Sequence, residues 1–225
     1  MNITKNQYIK QYDEKDAVGW DFIDKELEKI YHDQEPRHYG TLIKYEFGGN
    51  DPLDGISIYD QKEPIFHRHI ISYGMSELYY NPEKAGEDSS KWGFEFTFRV
   101  IPYLDDEEYN QAEHEPMWAV YIMQHLARDV FEKNRPFEPY YFFDGGYIND
   151  STQISGVALV IDPVLDTIDT PHGKITFLQT VGLTRKELDW LWEDSVTTRC
   201  EELIKRMRVD NPLLITDLTR TKEYV

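Results

Sequence analysis

Residues Phe94-Glu95-Phe96-Thr97-Phe98-Arg99-Val100 alternate apolar and polar side chains without a break. Successive side chains point to opposite faces in a β-strand, whereas a helix repeats every 3.6 residues, so this pattern has one good solution. It predicts a strand with Phe94, Phe96, Phe98 and Val100 turned to a core, and Glu95, Thr97 and Arg99 turned the other way. A chain carrying such a strand must build a sheet around it. Ile56–Tyr59, Phe66–Tyr73 (ended by Gly74) and Ile175–Val181 are further strands. Ile154–Ile161 has the continuous apolar centre of a buried one. Tyr39–Phe47 alternates more loosely, and Pro212–Leu218 reads as a short closing strand.

Helical spacing interrupts these strands. Trp20, Ile23, Leu27, Ile30 and Tyr31 fall on one face of a helix over about Val18 to Asp33, stopped by Pro36. Ala119, Ile122, Met123, Leu126 and Val130 form a second stripe, opening at Pro116 and closing at Asn134-Arg135-Pro136. Thr184-Arg185-Lys186-Glu187 reads as a capping box, with a third helix running through Leu188, Leu191, Trp192, Cys200, Leu203, Ile204 and Met207. Strands and helices mixed at irregular spacing predict an α+β fold: a mixed, largely antiparallel β-sheet packed with several α-helices. With no repeat or linker in view, one domain is expected. Residues 1–36 form a helical lead-in and 220–225 a polar tail.

The totals narrow the partners. With 16 Tyr, 11 Phe and 5 Trp the chain is too aromatic for disorder. Acidic residues number 42 against 24 basic, a net charge of −18, which repels nucleic-acid phosphate and anionic lipid. That charge either keeps the protein soluble or shapes a face for a basic partner. A single cysteine excludes an intrachain disulfide and fits a reducing compartment. The first residues, Met1 to Tyr8, lack the apolar core of a secretion signal, and the longest apolar stretches are strand-length. A cytoplasmic protein is expected, with no contact to membrane or nucleic acid.

Motifs for catalysis are weak. His67 and His69 share one face of a strand and could meet one metal, but a zinc site needs a third ligand. Paired hydrogen-bonding histidines on a partly exposed strand are the preferred reading. Cys200 lies on an apolar helix face and reads as core. No Gly-x-Ser-x-Gly, Gly-x-x-x-x-Gly-Lys or Gly-x-Gly-x-x-Gly occurs. Asp162, Asp166 and Asp169 read as turn-formers around Pro163, and Asp144-Gly145-Gly146 as a turn. Asp105-Asp106-Glu107-Glu108 opens an acidic, solvated loop reaching Glu115. Tyr59, Tyr73, Tyr79, Tyr80, Trp92, Tyr140 and Tyr141 suit either a core edge or an interface. No enzyme, cofactor or metal is expected.

Six phrases in order carry a family resemblance: Pro52–Tyr59, His69–Tyr79, Trp92–Arg99, Gln124–Phe131, Thr167–Gly173 and Thr176–Thr184. Together with the closing Pro212–Leu218 they resemble the suppressor-of-fused domain, with matches running from about Leu53 to Thr219 and the domain itself expected over residues 37–219. The resemblance implies a protein-binding function without substrate turnover. In animal relatives the domain sequesters a transcription factor of Hedgehog signalling and takes up a partner peptide as an added β-strand. Compact single-domain relatives are similar to bacterial proteins encoded beside polymorphic toxins and proposed as immunity proteins. The resemblance therefore implies a protein partner, foremost a basic toxin domain, and alternatively a signalling or transcription protein. It also implies Tyr59, His67, His69 and Glu77 as partner contacts. A metal-dependent hydrolase using His67 and His69 is the remaining alternative. The sequence departs from the family pattern at Arg68, where tryptophan is usual, and in the acidic stretch 101–116. The second, regulatory domain of animal members is expected to be absent.

Overall fold

The alternating segment becomes the middle of a sheet. A computed structural model describes residues 3–102, 115–145, 152–193 and 197–225. Its strands are β1 (Arg37–Gly40), β2 (Gly55–Gln61), β3 (His67–Tyr73), β4 (Ser89–Val100), β5 (Phe142–Asp144), β6 (Ile154–Ile161), β7 (Ile168–Thr170) and β8 (Gly173–Thr184). The sheet order is β1-β2-β3-β4-β8-β6-β5, with β7 also paired to β8. Only the β4–β8 pair is parallel; the other pairs are antiparallel. The helices are α1 (Lys5–Gln11), α2 (Val18–Tyr31), α3 (Met117–Lys133), α4 (Arg185–Glu193) and α5 (Thr197–Arg208). This is one α+β domain built on an open, largely antiparallel sheet.

Helices cover both faces. On one face Ile58, Ile70, Phe96, Phe98 and Leu159 pack against Ala119, Met123 and Val130 of α3. On the other, α2 presses Ile23, Leu27 and Tyr31 onto Tyr59, Ile71, Tyr73 and Phe177. Beside it, α4 and α5 cover Ala158, Val160, Val181 and Leu183. Gly19 lets α2 close on the chain after β3: a Cβ there would lie 1.9 Å from the Glu77 carbonyl oxygen. The Gly19 N–H donates to Leu78 O at 2.9 Å, so the start of α2 is tied to that loop.

Most predicted elements form where expected, including α2, α3, β6 and the Thr184 capping box. In that box Thr184 N–H donates to Glu187 Oε2 and Glu187 N–H to Thr184 Oγ1. Cys200 is buried among α4 and α5 side chains, and burial pushes its thiol up to about 12. Four expectations change. The loose 39–47 strand splits into β1 and a 3₁₀ turn at Tyr45–Phe47. The helix after Thr184 is two helices. The closing strand is reduced to one parallel bridge between Thr216 and Val100. Most importantly, the polar face of β4 is not solvated: Glu95, Thr97 and Arg99 are all buried, because α2, α4 and α5 cover that side as well. Gly146 and the acidic residues 105–108 lie outside the described residues.

Candidate protein-binding site

Register brings three of the four expected contact residues together. Tyr59 on β2 lies opposite His69 on β3, and His69 lies opposite Arg99 on β4. His67 is two residues before His69 and shares its face. Tyr31, the last residue of α2, stacks on Tyr59 with ring centroids 3.9 Å apart, and its hydroxyl meets His69 Nδ1. The expectation of a partly exposed strand is therefore corrected: Tyr59 is 5%, His67 1% and His69 0% exposed. Glu77 lies beyond the far end of β3. Six residue steps of strand separate His67 from Tyr73, about 20 Å at the usual rise, so Glu77 does not join the other three.

The buried polar faces of β3, β4 and β8 meet Asp162, just past β6. Asp162 accepts from Thr97 Oγ1 at 2.7 Å, from Arg99 Nη1, and from Arg99 Nη2 at 3.2 Å. Its Oδ1 also accepts the amides of Val164 and Leu165 at 2.9 Å each. The turn expected at Asp162 is thus present, but the same carboxylate neutralises a buried arginine 63 residues away in sequence. Arg99 Nη1 also donates to Gln179 Oε1, and Gln179 Nε2 donates to Leu213 O at 2.8 Å and Leu214 O at 3.1 Å. These groups form a polar seam between the apolar cluster under α2 and the one under α4 and α5.

Burial raises the Asp162 carboxyl, but the neighbouring His69 and the Arg99 charge outweigh it and hold the group well below the usual carboxylate range. Burial, then the Arg99 charge, pushes His69 down to about 4, against the pull of Asp162. His69 is therefore neutral at pH 7. Its Nε2 stays 3.5 Å from Asp162 Oδ2, longer than a well-formed hydrogen bond. Burial also lowers His67, whose Nδ1 donates to Ile65 O at 2.8 Å. A shared metal is poorly served here, because Arg99 already occupies the nearby carboxylate and repels a cation. Among the described residues no group of three or more His, Cys, Asp or Glu side chains is placed to hold a metal ion.

Further carboxylates organise the neighbourhood. Glu95 accepts from Ser72 Oγ at 2.6 Å, Ser76 Oγ at 2.6 Å, Ser76 N at 2.9 Å and Gly74 N at 3.0 Å, pinning the turn after β3. Gly74 has φ +145°, and a Cβ there would sit 2.7 Å from Pro52 O. Glu77, half-buried next to this turn, accepts from Asn81 Nδ2 at 3.2 Å, and burial raises its carboxyl. Glu115 is not solvated as expected: with Asp60 it neutralises Arg37 and Arg68. That ion-pair group explains how an arginine fits at position 68. The side chains of Arg68 and Glu115 are nearly buried, so each needs the other's charge.

The family profile described as Suppressor of fused protein (SUFU) matches residues 49–221. The chain belongs to the suppressor of fused family. It is 34% identical over 212 residues to the Suppressor of fused homolog of Homo sapiens, and equally to that of Mus musculus. Each alignment covers 87% of this chain and 42% of the relative, so the chain spans less than half the length of these relatives. Among solved structures it resembles Sufu in the Sufu–Fu complex, with a TM-score of 0.78, 26% identity, and 92% and 93% of the two chains covered. Drosophila Suppressor of Fused gives a TM-score of 0.77 at 28% identity, covering 94% of this chain and 52% of that one. A putative SUFU homolog from Neisseria gonorrhoeae shares the fold, with a TM-score of 0.61 at 12% identity over 92% and 97% of the chains.

No helix of the described residues is long and apolar enough to cross a membrane. The buried polar seam was not visible in the sequence as a unit. Its members come from β3, β4, β8 and the turn after β6, and the one signal was a strand whose polar face carried Glu, Thr and Arg together.

Proposed function

We propose that this chain is a non-enzymatic, cytoplasmic protein-binding domain that captures a basic toxin domain and neutralises it inside the cell. The observation that carries the binding role is membership of a family in which Sufu was solved in a complex with Fu. The net charge of −18 supports a basic partner, since opposite fields speed encounter and penalise wrong partners. The polar chemistry of the interior supports a scaffold more than a catalyst: Arg99, Asp162 and Gln179 are buried and bonded to one another, and His69 is buried with its Nδ1 on the Tyr31 hydroxyl. In this reading Glu77 meets the partner directly. Tyr59, His67 and His69 contribute from beneath, by fixing the sheet that receives it.

A second reading is a regulator that sequesters a signalling or transcription protein. The 34% identity to the human and mouse proteins favours it. One experiment separates the two. The tagged chain is used to recover partners from its native host, and recovered toxin domains are co-expressed with it. Recovery of a basic toxin domain and rescue of growth support the first reading. Recovery of a signalling or transcription protein without rescue supports the second, and no stable polypeptide partner contradicts both.

A further inference from the structure

The outer edge of β1 and the surface beside it stand apart from the rest of the molecule. β1 is the terminal strand of the sheet, and among the described residues nothing pairs with its outer side. Thr41 N–H donates to Asp54 O at 3.0 Å, so the alternation of an antiparallel pair turns the main-chain groups of Tyr39 inward and those of His38 and Gly40 to the open side. Next to this edge a cavity of about 430 Å³ opens between β1 and α3, floored by Leu53, Ile56 and Val120. Large apolar side chains ring it in the open. Leu42 is fully exposed, Ile43 60% and Tyr121 67%, while Phe47 beside it is 78% exposed. Soluble proteins usually protect an edge strand with lysine, proline or a covering element, and a clustered exposed apolar patch marks an interaction surface. Among the described residues β1 (Arg37–Gly40) has none of these devices: its one cation, Arg37, is committed to Asp60 and Glu115.

The charges beside the groove choose the occupant. Arg37, Lys44 and Arg128 are each matched by acids, Asp60 and Glu115, Asp54, and Asp51 respectively. The depression continues past Gly48 and Asn50 to Glu132, and Glu46 lies on the turn beside it. Both glutamates are exposed and enter no ion pair among the described residues. The surplus is negative. We infer that the β1 edge with its α3-side cavity is a docking groove for an extended polypeptide segment of alternating apolar and basic residues, added to the sheet as a strand. This rests on the protein-binding reading above and names where and what the chain would bind. Main-chain bonds to His38 and Gly40 hold the segment, its apolar side chains enter the cavity, and its basic ones meet the acidic rim.

The test uses a fluorescein-labelled peptide of alternating valine and lysine, titrated into the full chain at low salt and followed by anisotropy. Saturable binding is expected, at least ten-fold weaker for the matching valine–glutamate peptide. Gly40→Pro removes an outward N–H, and a Cβ at this position has no neighbour closer than 3.7 Å, so the edge tolerates it. It should weaken the valine–lysine peptide at least ten-fold with an unchanged circular dichroism spectrum. The surface pair Leu42→Ser and Phe47→Ser should do the same. No saturable binding, or equal binding by both variants, overturns the inference. So does a dimer of the free chain that Gly40→Pro dissolves, since a second copy would then be the occupant. A toxin still neutralised by both variants also sinks the groove but leaves the protein-binding reading intact. A toxin not neutralised by the unaltered chain sinks the toxin reading and leaves the peptide titration to judge the groove.

Discussion

The seam around Asp162 and the margin at β1 invert the usual order of a globular protein. In the seam, an arginine, an aspartate, a glutamine and two histidines are buried, and every charge has a matched partner. At the margin, leucine, isoleucine, phenylalanine and tyrosine side chains stand in water beside an unpaired strand edge. The seam lies where helices cover both faces of the sheet, so its buried charges must neutralise one another. Among the described residues no element covers the margin. A polar interior held this tightly fixes the strands, and an apolar exterior left open gives a partner something to grip.

The sharpest way to break this contrast is to remove Asp162. Asp162→Ala leaves the Arg99 charge buried without its counter-ion and should cost about 3–5 kcal/mol in urea unfolding. A loss below about 1 kcal/mol would mean the seam is not a tightly coupled unit. Acid provides a second probe. His69 is lowered to about 4 in the folded chain from an ordinary 6.5, so the unfolded chain binds the extra proton first as pH falls. Stability from this group is present above pH 6.5 and lost progressively down to about pH 4, roughly 3 kcal/mol in all. His67 is lowered too, so it adds a loss of the same sign. His69→Gln should flatten the slope of unfolding free energy against pH across that window, and an unchanged slope would place the titration elsewhere.

Smaller effects sharpen the comparison. Thr184→Ala removes one half of a capping box and should cost about 1 kcal/mol, read from the same urea curves. Leu42→Ser with Phe47→Ser should change stability by no more than about 0.5 kcal/mol while weakening peptide binding. A large destabilisation there would show that the apolar margin belongs to the core after all.

Periodicity made the central framework legible. The alternation in β4, the apolar run in β6, the stripes of α2 and α3 and the Thr184 box all rest on local patterns, and all formed. The short strands β5 and β7, of three residues each, are below the length at which alternation can be detected. α1 was legible and missed: the lead-in over residues 1–36 was given one helix, although Thr4 and Gln7 form a capping box that opens another. The seam was hidden for a different reason. Glu95, Thr97 and Arg99 look solvated until the second layer of helices is known, and that layer comes from residues 18–31, 185–193 and 197–208. His67 and His69 were read as sharing one face and the register adds Tyr59 to it, whereas Glu77 was drawn to them by sequence proximity across a strand that carries it to the far end.

Hydrogen–deuterium exchange of the full chain, with and without the valine–lysine peptide, tests the contrast most directly. We predict rapid exchange at His38 and Gly40 in the free chain, new protection there and at residues 41–43 with the peptide, and strong, unchanged protection in β3 and β4. Protection appearing on another edge, or none at β1 with peptide bound, would contradict the account.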